Sequence, residues 1–284
     1  MKGKLKTDID SIGFSMLVFL FLRMALDVLY RFISPQNEVS AAFLSLLFYV
    51  IRYGLTIFMF CFFFPTDHKF EISRPYVLPT VGGVSAIAFG VCVGAVFNAL
   101  LDLIGIRSVA AFSAFPQSHA GLILTFLLSC VITPLFEELL FRGIILSRLA
   151  NYGAKTAILI SALIFGLSHF APELIVFATV SGIVLGVAAQ KFGLATSFCI
   201  HALYNLLTFI IQYIKTGKPY LADKIYLAYI IIAVIASVYF IPSSIRRGKT
   251  LKAQNADKKE YISAPLIAFV IASFILILSY IRIA

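Results

Sequence analysis

Glu137 and Glu138 stand side by side, with Arg142 four residues beyond the second, inside a segment that is largely apolar from Leu122 to Leu149. Burying charge in an apolar medium costs several kcal/mol or more, so ionisable groups at such a place point to a function. Glu138 and Arg142 are one turn apart and can pair along a single helix face. Glu137 is rotated by about 100° from Glu138 and cannot share that pairing fully, which leaves it to hold a proton or to act on water. Pro134 has no N–H for the carbonyl of Cys130, so the helix is expected to kink or open just before the carboxylates and admit water. Taken alone, the same residues also fit a buried Glu–Arg strut with a spare protonated glutamate.

Histidine separates these readings. Of the four histidines, His68 and His119 fall in or beside loops, whereas His169 and His201 lie in apolar segments. Phe165-Gly-Leu-Ser-His169 puts an aromatic ring one turn before an imidazole, and Gly166 permits close helix approach. His201-Ala-Leu-Tyr-Asn205 sets an imidazole and a carboxamide on one face, positioned to donate hydrogen bonds to a common point. Together they supply two acids, two histidines and an amide in one membrane-embedded chain, the makings of an intramembrane active site.

The elements that must carry these groups are membrane helices. The chain has 284 residues, 61% hydrophobic and 13% charged, with no tryptophan, and a mean hydropathy of +1.00. Most long segments are apolar all round, which excludes an ordinary soluble helical core. Spans are predicted at Ile12–Ile33, Ala41–Phe64, Leu78–Ile104, His119–Ala150, Ala154–Phe170, Pro172–Gln190, Leu194–Ile214, Ile225–Ile241 and Ala264–Ile283. The fifth and sixth approach the lower length limit for crossing a bilayer. The expected fold is therefore all-α: a single polytopic transmembrane bundle over residues 1–284, with eight to nine spans and a polar catalytic cavity inside the membrane. Core helices over residues 119–214 carry the chemistry, and a basic linker over residues 242–261 precedes the last helix.

The net charge of +10 comes from basic residues gathered between apolar segments, so it reads as a membrane-orientation signal and an attraction to lipid headgroups, not as nucleic-acid binding. Lys2, Lys4, Lys6, Lys69, Arg74, Arg148, Lys155, Lys191 and the cluster from Arg246 to Lys259 fall on one side when spans alternate, against Arg31, Arg107, Lys215, Lys218, Lys224 and Arg282 on the other, which predicts a cytoplasmic amino terminus. The first apolar run is too long for a cleavable signal and is read as the first span. The four cysteines are scattered singly and read as small hydrophobes. Gly90–Gly94 and Gly182–Gly186 are spaced for close helix packing. Arg23 and Asp27 form a predicted one-turn ion pair; Arg52, Asn98 and Asp102 line a cavity or reach an interface, and no mechanism follows from them.

Glu137-Glu138-x-x-x-Arg142, then Phe165-x-x-x-His169, then His201-x-x-x-Asn205 resembles the three ordered motifs of the CPBP family, the CAAX proteases and bacteriocin-processing Abi proteins. The resemblance covers about residues 120 to 210, and Pro134 to Gly143 is similar to the bacterial branch. It implies a glutamate-dependent intramembrane endopeptidase without a cofactor. In that reading Glu137 is the general base, His169 assists it, His201 and Asn205 stabilise the oxyanion, and Glu138 with Arg142 orients the catalytic helix. The implied partners are membrane lipid and a membrane-associated or lipidated peptide or protein. The implied location is a bacterial cell membrane.

Three rival readings share these residues. A divalent metal held by Glu137, Glu138, His169 and His201 would activate water instead. An immunity factor or scaffold would bind a bacteriocin or partner without cleaving it. A transporter would use the acids and histidines as a proton relay, although no inverted repeat is evident. The chain contains no His-Glu-x-x-His, Gly-x-Gly-Asp or Gly-x-Ser-Gly, which argues against site-2-type, presenilin-like and rhomboid-like centres.

Overall fold

A computed structural model of the chain describes residues 2–65, 74–108, 115–150, 153–246, 263–279 and 281–283. His68 and most of the basic linker at 242–261 lie outside the described residues. Nine helices occur among the described residues: α1 (Lys2–Ile33), α2 (Glu38–Phe63), α3 (Val77–Leu103), α4 (His119–Ala150), α5 (Ala154–Leu167), α6 (Pro172–Phe192), α7 (Leu194–Gly217), α8 (Pro219–Arg246) and α9 (Ala264–Ser279). Two three-residue strands, Ile106–Ser108 and Ile281–Ile283, pair antiparallel as a short ribbon. The architecture is the expected all-α polytopic bundle, with seven helices long and apolar enough to cross a membrane.

The two shorter helices are α5, with 14 residues, and α9, with 16. At 1.5 Å per residue they reach about 21 and 24 Å, short of a bilayer core of about 30 Å. The sixth segment, by contrast, extends to 21 residues. Helix α5 stops early because Phe170 is left-handed at φ 52° and Pro172 opens α6. Both features end a helix, since a bulky residue at positive φ is uncommon and proline restricts the residue before it. His169 consequently sits in a turn and not on the helix that the spacing predicts.

Polar contacts at the helix ends fix the directions. At one end, Arg148 near the close of α4 pairs with Asp8 of α1 at 3.7 Å and donates to the carbonyl of Phe64 just after α2. At the other, Glu38 at the start of α2 accepts from the backbone N–H groups of Gln117 (2.8 Å) and Ser118 (2.6 Å), which begin α4. Helix α3 starts beside the start of α7 through Tyr76 N–H to Thr196 Oγ1 at 3.2 Å, and ends beside the start of α6 through Asn98 Nδ2 to the Glu173 carbonyl at 3.3 Å. Helix α2 thus runs opposite to α1 and parallel to α4, α3 runs opposite to α6 and parallel to α7, and the ribbon joins segments that follow α3 and α9.

The interior is built from Phe19, Tyr53, Phe60, Phe141, Phe170 and Phe269, all essentially buried. Large apolar side chains such as Phe32, Phe62, Val77 and Leu103 face outward along the helices, the inverse of a water-soluble surface. The glycine pairs work as their spacing predicts. A Cβ on Gly182 would lie 3.0 Å from Ala162 Cα, and one on Gly94 3.0 Å from Phe177 Cβ, so α6 packs closely on both α5 and α3.

Candidate active site

The carboxylates lie where α4 changes its winding. Its ordinary turns give way to π-helix at Leu127–Ile132, return to α-helix at Thr133–Glu137 and widen again at Glu138–Leu146. The expected kink at Pro134 is absorbed by this change of pitch. In the wide register each N–H reaches five residues back, as Thr133 N–H does to Leu128 O. The next N–H would belong to Pro134 and would serve Ser129, but proline has none. Asn205 fills the gap: its Nδ2 donates to the Ser129 carbonyl at 2.8 Å. Single π segments of this kind are frequent at functional sites.

Glu138 is wholly engaged. Its Oε1 accepts from Arg142 Nη1 at 2.9 Å and from His201 Nδ1 at 3.0 Å, while its Oε2 accepts from Ser197 Oγ at 2.5 Å. Arg142 is held in turn by the Gly182 carbonyl at 3.3 Å and by the face of Phe165, 4.3 Å from the ring centroid. The bare backbone at Gly182 is what lets α6 bring that carbonyl to the guanidinium. One ion pair therefore ties α4 to α5, α6 and α7; its partners satisfy both Glu138 oxygens and the terminal nitrogens of Arg142, while Arg142 Nε is buried without a hydrogen-bond partner.

Glu137 is half engaged. Its Oε1 accepts from the hydroxyls of Tyr49 at 2.8 Å and Tyr53 at 3.1 Å, both on α2. Its Oε2 accepts no hydrogen bond from the described residues and stands 3.7 Å from His201 Nε2. That separation is too long for a direct hydrogen bond. One oxygen of Glu137 is anchored and the other is free.

The two histidines gather on one ring. Phe165 meets His169 edge-on at 4.9 Å and His201 at 6.1 Å. His169 Nδ1 lies 2.9 Å from the Phe165 carbonyl, which can only accept, so Nδ1 carries the proton and Nε2 presents a lone pair. The same argument places a proton on His201 Nδ1, which faces the Glu138 carboxylate. Asn205 spends one amide hydrogen on Ser129 and keeps the other. Ser168 Oγ donates to the Phe165 carbonyl at 2.8 Å and takes no part in a dyad.

The metal alternative is not assembled. Among the described residues no three His, Cys, Asp or Glu side chains come together as a metal-binding group. Glu138 already accepts from Arg142, His201 and Ser197.

Tyr49, Tyr53 and Ser197 are absent from the sequence reading. All three carried a usable signal. Ser197 precedes His201 by one turn, and Tyr49 precedes Tyr53 by one turn, so each pair shares a helix face. The donor that Pro134 lacks marked the place of Asn205's contact but not its acceptor, Ser129, which the π register sets.

Comparison with curated proteins and with solved structures finds no match. Residues 119–207 do match a family described as Type II CAAX prenyl endopeptidase Rce1-like. The matched region runs from the start of α4 into α7 and contains Glu137, Glu138, Arg142, His169, His201 and Asn205, whereas Tyr49 and Tyr53 lie outside it. The match covers less than half of the chain, and it makes this region similar to Rce1-like sequences, in agreement with the three ordered motifs.

Proposed function

We propose that the protein is a membrane-embedded endopeptidase of glutamic type, in which Glu137 activates the water that attacks a peptide carbonyl. The observation that carries this reading is the asymmetry of Glu137. Two tyrosine hydroxyls hold Oε1, and Oε2 is left open beside His201. A base needs that combination of fixed orientation and a free lone pair.

In the proposed reaction Oε2 takes a proton from water as the oxygen adds to the carbonyl carbon. The tetrahedral oxyanion is met by the remaining N–H of Asn205 and by His201, donating from Nε2 as the imidazolium. His169 Nε2 assists water alignment. Collapse breaks the C–N bond, and the proton held by Glu137 passes to the leaving amine. Removing one oxyanion donor in such sites costs about 10²–10³ in rate.

The substrate class is a membrane-associated or lipidated peptide or protein. The alternation of basic residues supports an amino terminus on the cytoplasmic side, and the resemblance to the bacterial branch supports a bacterial membrane. Full-length protein in lipid nanodiscs, offered a library of lipidated quenched peptides, is expected to cleave some members. Glu137→Gln is expected to abolish cleavage, and a chelator to leave it unchanged. Equal cleavage by Glu137→Gln would overturn the assignment, and loss on chelation would restore the metal reading.

A further inference from the structure

Arg52 is a charge that the proposed reaction leaves without a task. It stands near the middle of α2 and pairs with no acid among the described residues. Asp27 of α1 lines the same cavity, but Arg23 Nε holds it at 3.5 Å. The Arg52 guanidinium rests instead on the rings of Phe19, Tyr49 and Tyr53 at 5.0, 5.2 and 5.2 Å, and its Nε is buried without a hydrogen-bond partner. Keeping a cation in an apolar segment on ring faces alone is costly, and the cost calls for a purpose.

Two of those rings are the ones that hold the base. Tyr49, Arg52 and Tyr53 are spaced by three and four residues and so share one face of α2. The tyrosine rings stack with centroids 4.4 Å apart and 21° between their planes, and both hydroxyls donate to Glu137 Oε1. The order is therefore cation, ring, hydroxyl, carboxylate. A cation over a phenol face draws electron density from the ring, which makes the hydroxyl a stronger donor along the same line of contacts.

The bundle thus contains two glutamate–arginine couples of different kinds. Arg142 meets Glu138 directly at 2.9 Å and occupies its oxygen. Arg52 makes no ion pair with Glu137, because the tyrosine rings stand between them. Its charge bears on Oε1 through the hydroxyls and leaves the lone pair of Oε2 open, whereas a direct ion pair there would use up the base.

We propose that Arg52 is a positioning residue that acts on Glu137 through Tyr49 and Tyr53. Its charge strengthens the two hydroxyl bonds, and its planar guanidinium locks the rings that carry them. This rests on the proteolytic reading of Glu137.

The test is a mutant cycle on full-length protein in nanodiscs, with a lipidated peptide that wild type cleaves. Arg52→Gln is expected to lower kcat by about 3- to 30-fold and to move KM by less than about twofold. Arg52→Lys, which keeps a cation for the rings, is expected to recover part of that loss. In a Tyr49→Phe/Tyr53→Phe background the same Arg52→Gln change is expected to cost no further kcat, since the hydroxyls that relay its effect are gone. A role in folding alone would lower kcat by the same factor in both backgrounds. That result overturns the proposal, as does an unchanged kcat in Arg52→Gln or a complete lack of rescue by Arg52→Lys. Should Arg52→Gln not fold, Arg52→Met replaces it throughout. The carbon-13 NMR signal of the Glu137 carboxyl, assigned by its absence in Glu137→Gln, reads the same cycle without turnover. Arg52→Gln is expected to shift it when the two tyrosines are present and not when both are phenylalanine; no shift in the first case, or equal shifts in both, overturns the proposal. If wild type cleaves no peptide, the proteolytic reading fails, and this signal alone decides whether Arg52 acts on Glu137.

Discussion

Replacing Tyr49 or Tyr53 with phenylalanine removes one donor to Glu137 Oε1 and little else. The two rings stack at 4.4 Å, and Tyr53 also packs edge-on against Phe19 at 4.9 Å, contacts that phenylalanine retains. A hydrogen bond to a charged group is worth about 1.5–3 kcal/mol, and 1.36 kcal/mol is tenfold in rate. Each single variant is therefore expected to lower kcat by about 10- to 100-fold if the bond holds the base in its reactive orientation. The shorter bond, from Tyr49, is expected to matter more. Both hydroxyls meet the same oxygen, so each single variant leaves one anchor in place. The double variant removes both, and its loss should exceed the product of the single losses, a coupling of about 0.5–3 kcal/mol. The assay is steady-state cleavage of a peptide that wild type processes, with thermal unfolding in detergent confirming that the fold is kept. Unchanged or raised kcat in the double variant would refute the claim that the tyrosines position Glu137.

Asn205→Ala should lower kcat by about 10²–10³ through the lost oxyanion donor, and amide exchange should rise around Leu127–Ile132 because the Ser129 carbonyl loses its partner; either effect alone would assign Asn205 a single role. Arg142→Met leaves Glu138 charged and buried, so a destabilisation of about 3–5 kcal/mol is expected as a lowered thermal midpoint. Gly182→Ala puts a methyl group against Ala162 and Phe165, and overpacking of that kind costs about 1–3 kcal/mol. That loss should read out as a smaller drop in the midpoint together with weakened activity, since α6 also carries the carbonyl that holds Arg142.

The chain's membrane character and the Glu138–Arg142 pair were legible because both are local: apolar run length sets one and one-turn spacing the other. The convergence of Glu137 with Tyr49 and Tyr53 was not, since α2 and α4 meet through packing between segments far apart in sequence. The helix at Phe165 to His169 misled for a related reason. Apolar residues continue through Phe170, and only the backbone turn before Pro172 ends α5 at Leu167. Pitch was hidden as well, because nothing in a string of leucines and isoleucines distinguishes a π turn from an α turn. Pro134 did mark the place, but as a missing donor that Asn205 replaces across the bundle. Arg52 was visible as a charge in an apolar segment, but its seat on the rings of Phe19, Tyr49 and Tyr53 was not.

The account depends above all on Glu137 as the working base. Mass-spectrometric comparison of protein termini in cells carrying wild type or Glu137→Ala, at matched membrane abundance, tests it most directly. New carboxyl or amino termini in membrane-associated proteins that appear with wild type and vanish with Glu137→Ala are the predicted result. An identical set of termini in the two strains would contradict it.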